Sequence, residues 1–159
     1  LGRLIPELRR RGLTVSTVQH AHHRFDLDQP GKDRHTHRTS GATEVLITSS
    51  ARWALMHELR GAEEPPLEDL LARMSPVDLI LVEGFKRAAL PKLEVHRPSI
   101  GKPLLAPHDP WIVAVASDVP DLGVDAAIDR PVLPLGDAVA VADFLVAHLG
   151  LAQPARVPG

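Results

Sequence analysis

The segment from His20 to Arg38 holds the densest concentration of reactive side chains in the chain. It contains His20, His22, His23, Asp26, Asp28, Lys32, Asp33, Arg34, His35 and His37. Metal ligands, anion binders and proton carriers are therefore packed into one stretch. His20 and His22 alternate and would share a strand face. With His23, Asp26 or Asp28 they would make a nitrogen and oxygen metal set, although the spacing fits no standard zinc motif. His20, His22, His23, Lys32 and Arg34 would equally bind phosphate or an acidic substrate. Pro30-Gly-Lys-Asp33 reads as a turn before a helix start, where backbone N–H groups add positive potential. A solvated loop is the plain alternative.

Two further segments have the same logic, an apolar run that ends in a carboxylate. In Asp78-Leu-Ile-Leu-Val-Glu-Gly-Phe-Lys86 the run delivers Glu83 at its end, and Gly84 allows a tight turn. An acidic residue so placed in phosphate-binding α/β proteins orients Mg²⁺, usually through water. Lys86 would then face phosphate or a substrate carboxylate. In Ala114-Val-Ala-Ser-Asp118 the carboxylate could accept the adjacent N–H donors of guanine, a pair that adenine lacks. A core strand with a polar exit, or an Asp that opens a turn before Pro120, explains the same residues without chemistry.

The elements that must position these groups alternate between two periods. Leu1 to Arg11 reads as a helix stopped by Gly12, with Leu4, Ile5 and Leu8 on one face and three arginines at its carboxyl end. Pro6 fits only in its first turn. Thr14 to Gln19 reads as a strand, and the histidine-rich run sits where that strand leaves the sheet, the place where open α/β sheets bind ligands. Lys32 to Thr39 suggests a short helix closed by Gly41. Glu44 to Thr48 and Arg52 to Glu58 suggest strands joined at Ser49-Ser50 in a hairpin, whose exposed edge would invite pairing with a second copy. Pro65-Pro66 opens a helix through Met74. Val77 to Val82 predicts a central strand buried on both faces. Lys92 to His96 and Trp111 to Ala116 are further strands, separated by a Pro-rich loop. Gly136 to Leu149 predicts a closing helix with Gly150 as its stop. Strands alternating with helices predict an α/β fold with a mostly parallel sheet, helices on both sides and an antiparallel hairpin. The expectation is one domain over residues 1–150 and a flexible tail over 151–159.

The bulk composition narrows the partners. Eighteen Lys and Arg face twenty Asp and Glu, for a formal charge of −2. No basic excess points to nucleic acid or to an anionic membrane surface. No apolar run is long enough to span a bilayer. Cysteine is absent, which removes disulfides and thiolate metal sites and is compatible with a cytoplasmic location. Tyrosine is absent as well, so Leu, Val, Ile and Ala must build the core.

Taken together, Gln19-His-Ala-His-His23, Asp26-Leu-Asp28, Pro30-Gly-Lys-Asp33, Ser40-Gly-Ala42, Arg52-Trp-Ala-Leu-Met56, Asp78 to Lys86 and Ala114 to Asp118 resemble the molybdopterin-guanine dinucleotide biosynthesis protein B family. The motifs follow the family's order from about Leu4 to Leu149. The resemblance implies a GTP-binding protein with a doubly wound P-loop NTPase-type sheet that forms homodimers. It implies an adaptor or enhancer that assists the transferase attaching GMP to molybdopterin, at most a slow GTPase, with GTP and Mg²⁺ as cofactors. Glu83 would be the catalytic, Mg²⁺-linked acid, with Asp26 as a second metal candidate. Asp118, Ser117 and Lys86 would bind nucleotide. His20, His22, His23, Lys32, Asp33 and Arg34 would bind phosphate or the cofactor precursor, molybdopterin or its guanine dinucleotide. The family opens with a strand and a Gly-x-x-x-x-Gly-Lys-Thr loop, and neither occurs here. The expectation is that a longer protein supplies them, because losing a central strand should prevent folding.

Three other readings use the same residues. A nickel-delivery type of GTP-dependent metallochaperone would use His20, His22 and His23. A small-molecule kinase would need an arginine-bearing lid, and none is recognisable. A dimeric scaffold with a decayed nucleotide site would differ only in binding.

Overall fold

In the computed structural model, residues 1–21, 33–119, 122 and 128–152 are described, with Arg34 described by its backbone alone. The expected tail, apart from Leu151 and Ala152, lies outside them. The chain divides into two compact units, one of Leu1–Gln19 with Pro76–Gly159 and one of His20–Ser75.

The first unit begins with α1 (Leu4–Arg10), where Pro6 lies in the first turn. β1 (Val15–Gln19) pairs parallel with β4 (Leu79–Glu83), Val15 opposite Leu79 and Gln19 opposite Glu83. Their amino ends are tied by Asp78, whose Oδ2 accepts the Thr14 N–H at 2.7 Å and the Thr14 hydroxyl at 2.6 Å. β5 (Lys92–His96), β6 (Ile112–Ser117) and β7 (Val132–Pro134) form a second parallel sheet with β6 in the middle. α4 (Ala138–Leu149) closes the unit. Asp137 caps it by accepting the N–H groups of Val139 and Ala140, and Gly150 ends it in the left-handed region at φ 61°.

Two apolar clusters hold this unit. Leu8, Leu13 and Ala142 are buried together, with Leu4, Val15, Leu79, Leu81, Val146 and Leu151 around them. Ala106, Ile112 and Val115 form the other, flanked by Leu104, Leu122 and Ile128. Arg11 joins α1 to α4 through Asp143 at 2.6 Å and the Val139 carbonyl.

The second unit contains α2 (Asp33–Thr39), β2 (Glu44–Thr48), β3 (Trp53–His57) and α3 (Leu67–Leu71). β2 and β3 pair antiparallel, Glu44 opposite His57 and Thr48 opposite Trp53. Ser49 Oγ organises the turn by accepting the N–H groups of Ala51 and Arg52.

The predicted hairpin and the predicted helix stops at Gly41 and Gly150 are therefore present. Three expectations change. The run from Leu79 to Val82 is half-buried rather than buried, because among the described residues β4 is bonded along one edge only. The helix after Pro66 ends at Leu71 instead of Met74. β7, which the pattern reading passed over, bonds β6 through only three residues, too short a run for alternation to register.

Candidate functional site

The parallel pairing of β1 and β4 brings their carboxyl ends together, with Glu83 opposite Gln19. Glu83 is exposed there. The backbone then turns through two successive left-handed residues, Gly84 at φ 88° and Phe85 at φ 45°. That conformation costs a non-glycine residue roughly 1–2 kcal/mol, and such strain concentrates at functional sites. Lys92 steadies the turn. Its Nζ donates to the Lys86 carbonyl at 2.7 Å and to Asp109 Oδ2 at 2.8 Å. The Lys92 ammonium, and then the Trp111 N–H, hold the Asp109 carboxyl below its ordinary value. The Lys86 side chain is exposed, free to extend toward an anion.

At the carboxyl end of the other sheet, His96, Ser117 and Pro134 lie in register on β5, β6 and β7. Ser117 is buried at 2% exposure, and its Oγ accepts the Val119 N–H at 3.1 Å. That bond shapes the turn presenting Asp118. A cavity of about 260 Å³ opens here, lined by Ser117, Asp118, Val132, Leu133 and Pro134. Its size lies just under the roughly 300–1,000 Å³ of pockets that enclose whole drug-sized ligands, so it suits one ring system rather than an entire nucleotide. Arg97 stands across from Asp118, Nε to Oδ2 3.9 Å.

The histidine-rich segment is described only at its ends. His22, His23, Asp26, Lys32 and the Arg34 side chain lie outside the described residues. His20 Nε2 is 3.1 Å from the Glu64 carboxylate. Asp33 is exposed in the first turn of α2. Among the described residues no group of three or more His, Cys, Asp or Glu could hold a metal ion. A protein cage around Glu83 is therefore not built from the described residues.

Pattern reading missed Arg97, Lys92, Asp109, Glu94 and Arg130. Glu94 accepts the N–H groups of Leu105 and Ala106 at 2.8 Å each, and Arg130 donates to the carbonyls of Ala106 and Asp109. These bonds span eleven to twenty-four residues of chain, beyond any local period. Arg97 carried a usable signal, since it directly follows a predicted strand and so falls at a carboxyl edge.

An α/β chain with parallel strands, carboxylates at two strand ends and a base-sized cavity beside one of them has the makings of a nucleotide-binding protein. Comparison with known proteins specifies the family. The pattern of the family described as molybdopterin guanine dinucleotide synthesis protein B matches residues 1–118. A protein of Escherichia coli K12 named molybdopterin-guanine dinucleotide biosynthesis adapter protein is 42% identical over 149 residues, 92% of this chain and 82% of that one. Its namesake in Haemophilus influenzae is 36% identical over 148 residues, 91% of this chain and 78% of that one. A crystal structure of molybdopterin-guanine biosynthesis protein B superposes with a TM-score of 0.69 at 25% identity, covering 92% of this chain and 88% of that one. A homolog structure from Bacillus stearothermophilus shares the fold, with a TM-score of 0.62 at 22% identity over 95% and 88% of the two chains. The chain belongs to the molybdopterin guanine dinucleotide synthesis protein B family. The metallochaperone alternative gains no support from these relatives or from the described histidines.

Proposed function

We propose that this chain is a GTP-binding accessory protein in biosynthesis of the molybdopterin guanine dinucleotide form of the molybdenum cofactor, assisting the transferase that attaches GMP to molybdopterin. The observation that carries the reading is the match over 92% and 91% of the chain to two relatives named adapter proteins of that biosynthesis. The geometry supports a nucleotide role within it. Asp118 offers a carboxylate beside a cavity with an apolar wall of Val132, Leu133 and Pro134, the combination a guanine ring needs. Glu83 offers the exposed carboxylate that Mg²⁺ requires from the protein, and Lys86 lies three residues on. Bound with the nucleotide, the ion would neutralise charge on the terminal phosphates.

In this reading the fold is of the P-loop NTPase type. Within it Asp118 serves the base and Glu83 the metal side. His20, His22, His23, Lys32, Asp33 and Arg34 are the proposed contacts to phosphate or to the cofactor precursor, on grounds of residue type. Any GTP hydrolysis is slow and secondary to the adaptor role. A cytoplasmic homodimer is proposed as the working form. Among the described residues no helix is long and apolar enough to cross a membrane.

The deciding experiment is a titration of the full-length protein with Mg-GTP and Mg-ATP, followed by the same titration of Glu83→Ala. Preference for GTP, with a loss of about tenfold or more of the Mg²⁺-dependent affinity in the variant, supports the reading. Equal affinity of wild type and variant would remove Glu83 from the metal role. No nucleotide binding at all would leave a scaffold.

A further inference from the structure

We infer that Arg97 is a second specificity-determining residue of the base site, donating to the O6 atom of guanine while Asp118 accepts from N1–H and the 2-amino group; this rests on the guanine-nucleotide reading above. The two residues occupy equivalent places. Arg97 follows the last residue of β5 and Asp118 the last residue of β6, and those last residues, His96 and Ser117, are in register. Their side chains are about half-exposed at the carboxyl edge of the sheet, Asp118 on the cavity wall. The separation of 3.9 Å is longer than a hydrogen bond of 2.7–3.2 Å, so neither group uses up the other's capacity. Among the described residues Arg97 has no other ion pair, and Asp118 accepts no side-chain hydrogen bond. A donor and an acceptor are thus held side by side, each with sites to spare, and the acceptor lines a cavity sized for one ring system.

The base edge that fits this pair is guanine. Its O6 is an acceptor and lies next to the N1–H and 2-amino donors. Asp118 alone would satisfy the two donors and leave O6 without a partner from the protein. The guanidinium supplies that missing donor, and its fixed planar fork suits an in-plane carbonyl. Adenine reverses the pattern. Its 6-amino group would meet the Arg97 donors and its N1 lone pair would meet the Asp118 carboxylate, so both contacts become repulsive.

Nucleotide analogues can separate the two residues. GTP, 6-thio-GTP, ITP and ATP are titrated with Mg²⁺ into the full-length protein, its Arg97→Met and Arg97→Lys variants, and Asp118→Asn. Sulfur at position 6 is a weak acceptor that keeps both guanine donors, whereas inosine keeps O6 and loses the 2-amino group. Wild type should bind 6-thio-GTP about tenfold more weakly than GTP. Arg97→Met should lose about that factor for GTP and little more on changing to the thio analogue, while its penalty for ITP stays as in wild type. Arg97→Lys, which keeps a charge and a donor, should recover part of the loss. Asp118→Asn should abolish the penalty for ITP and keep that for 6-thio-GTP. Circular dichroism checks that the variants fold, as substitution at this exposed site should allow. Preference for GTP over ATP in wild type with no change in Arg97→Met overturns the inference and leaves the guanine reading standing. So does an equal loss for GTP and 6-thio-GTP in that variant, which would mean stacking or general attraction rather than a bond to O6. Indifference of the wild type to the base, or no binding, overturns both.

Discussion

Glu7 receives the Arg10 guanidinium at 2.8 and 2.9 Å and the Arg11 Nε at 2.9 Å. Those hydrogen bonds, first from Arg10 and then from Arg11, push its carboxyl down from 4.5 to about 2. The Thr14 hydroxyl, followed by the Thr14 N–H, lowers Asp78 in the same sense from 3.8. A carboxyl lowered in the folded state binds its proton more readily once unfolded. Its contribution to stability is therefore complete above the unfolded value and is lost as pH falls toward the folded one. For Glu7 that window runs from about 4.5 down to about 2. The melting temperature should fall steeply on acidification through that window, and Glu7→Gln should flatten the fall. An unchanged acid limb in the variant, followed by calorimetry, would show that the pair with Arg10 and Arg11 contributes nothing. Among the described residues, the Glu83 and Asp118 carboxylates have no protein partner at hydrogen-bond distance, in contrast to the structural acids Glu7 and Asp78.

Helix α4 shows how short-range chemistry fixes an element. Asp137 satisfies two orphan N–H groups at its start, and Gly150 at φ 61° lets the Leu151 N–H return to the Val146 carbonyl at its end. Asp137→Ala should cost about 1 kcal/mol in denaturant unfolding, and Gly150→Ala a similar amount through its strained φ. A loss near zero for either would mean that packing alone holds the helix. The β2–β3 hairpin presents a different case. Val45 is buried on one face, beside α2, while Trp53, Leu46 and Leu55 are 68%, 63% and 50% exposed on the other. A two-stranded ribbon is marginal alone, and an exposed apolar cluster is the kind of face that pairing would cover. If the proposed homodimer forms through the hairpin, Leu55→Glu should convert it to monomer in light scattering without lowering helix content. A dimer that survives would place the interface elsewhere.

For the whole chain, the first unit depends on contacts between residues far apart in sequence. Leu8 from α1 packs on Leu13 and on Ala142 of α4, and it has no exposed surface. Leu8→Ala should cost about 3 kcal/mol, the middle of the range for emptying such a site, and lower the melting temperature by several degrees. A loss under 1 kcal/mol would show that α1 and α4 close over the gap. Arg130, Glu94 and Lys92 act at the same range. They bind carbonyls, N–H groups and a carboxylate of the segment from Leu105 to Trp111, and so fix a Pro-rich loop whose own sequence specifies little regular structure.

The sequence by itself determined most elements and the chemical character of their ends. β-Branched runs mark β1 and β6, glycines mark the stops of α2 and α4, and carboxylates terminate β4 and β6. These are properties of neighbours along the chain, where periodicity and turn chemistry operate. The family too was legible there, since it resides in the order of short motifs. Only the tertiary structure decided the rest. It left β4 half-buried, added the three residues of β7, set Arg97 opposite Asp118 and brought Lys92 to the Lys86 carbonyl. Each of these depends on which strand lies beside which and in what register. That choice is made by hydrogen bonds and buried surfaces between distant segments, and a single residue's type does not encode it.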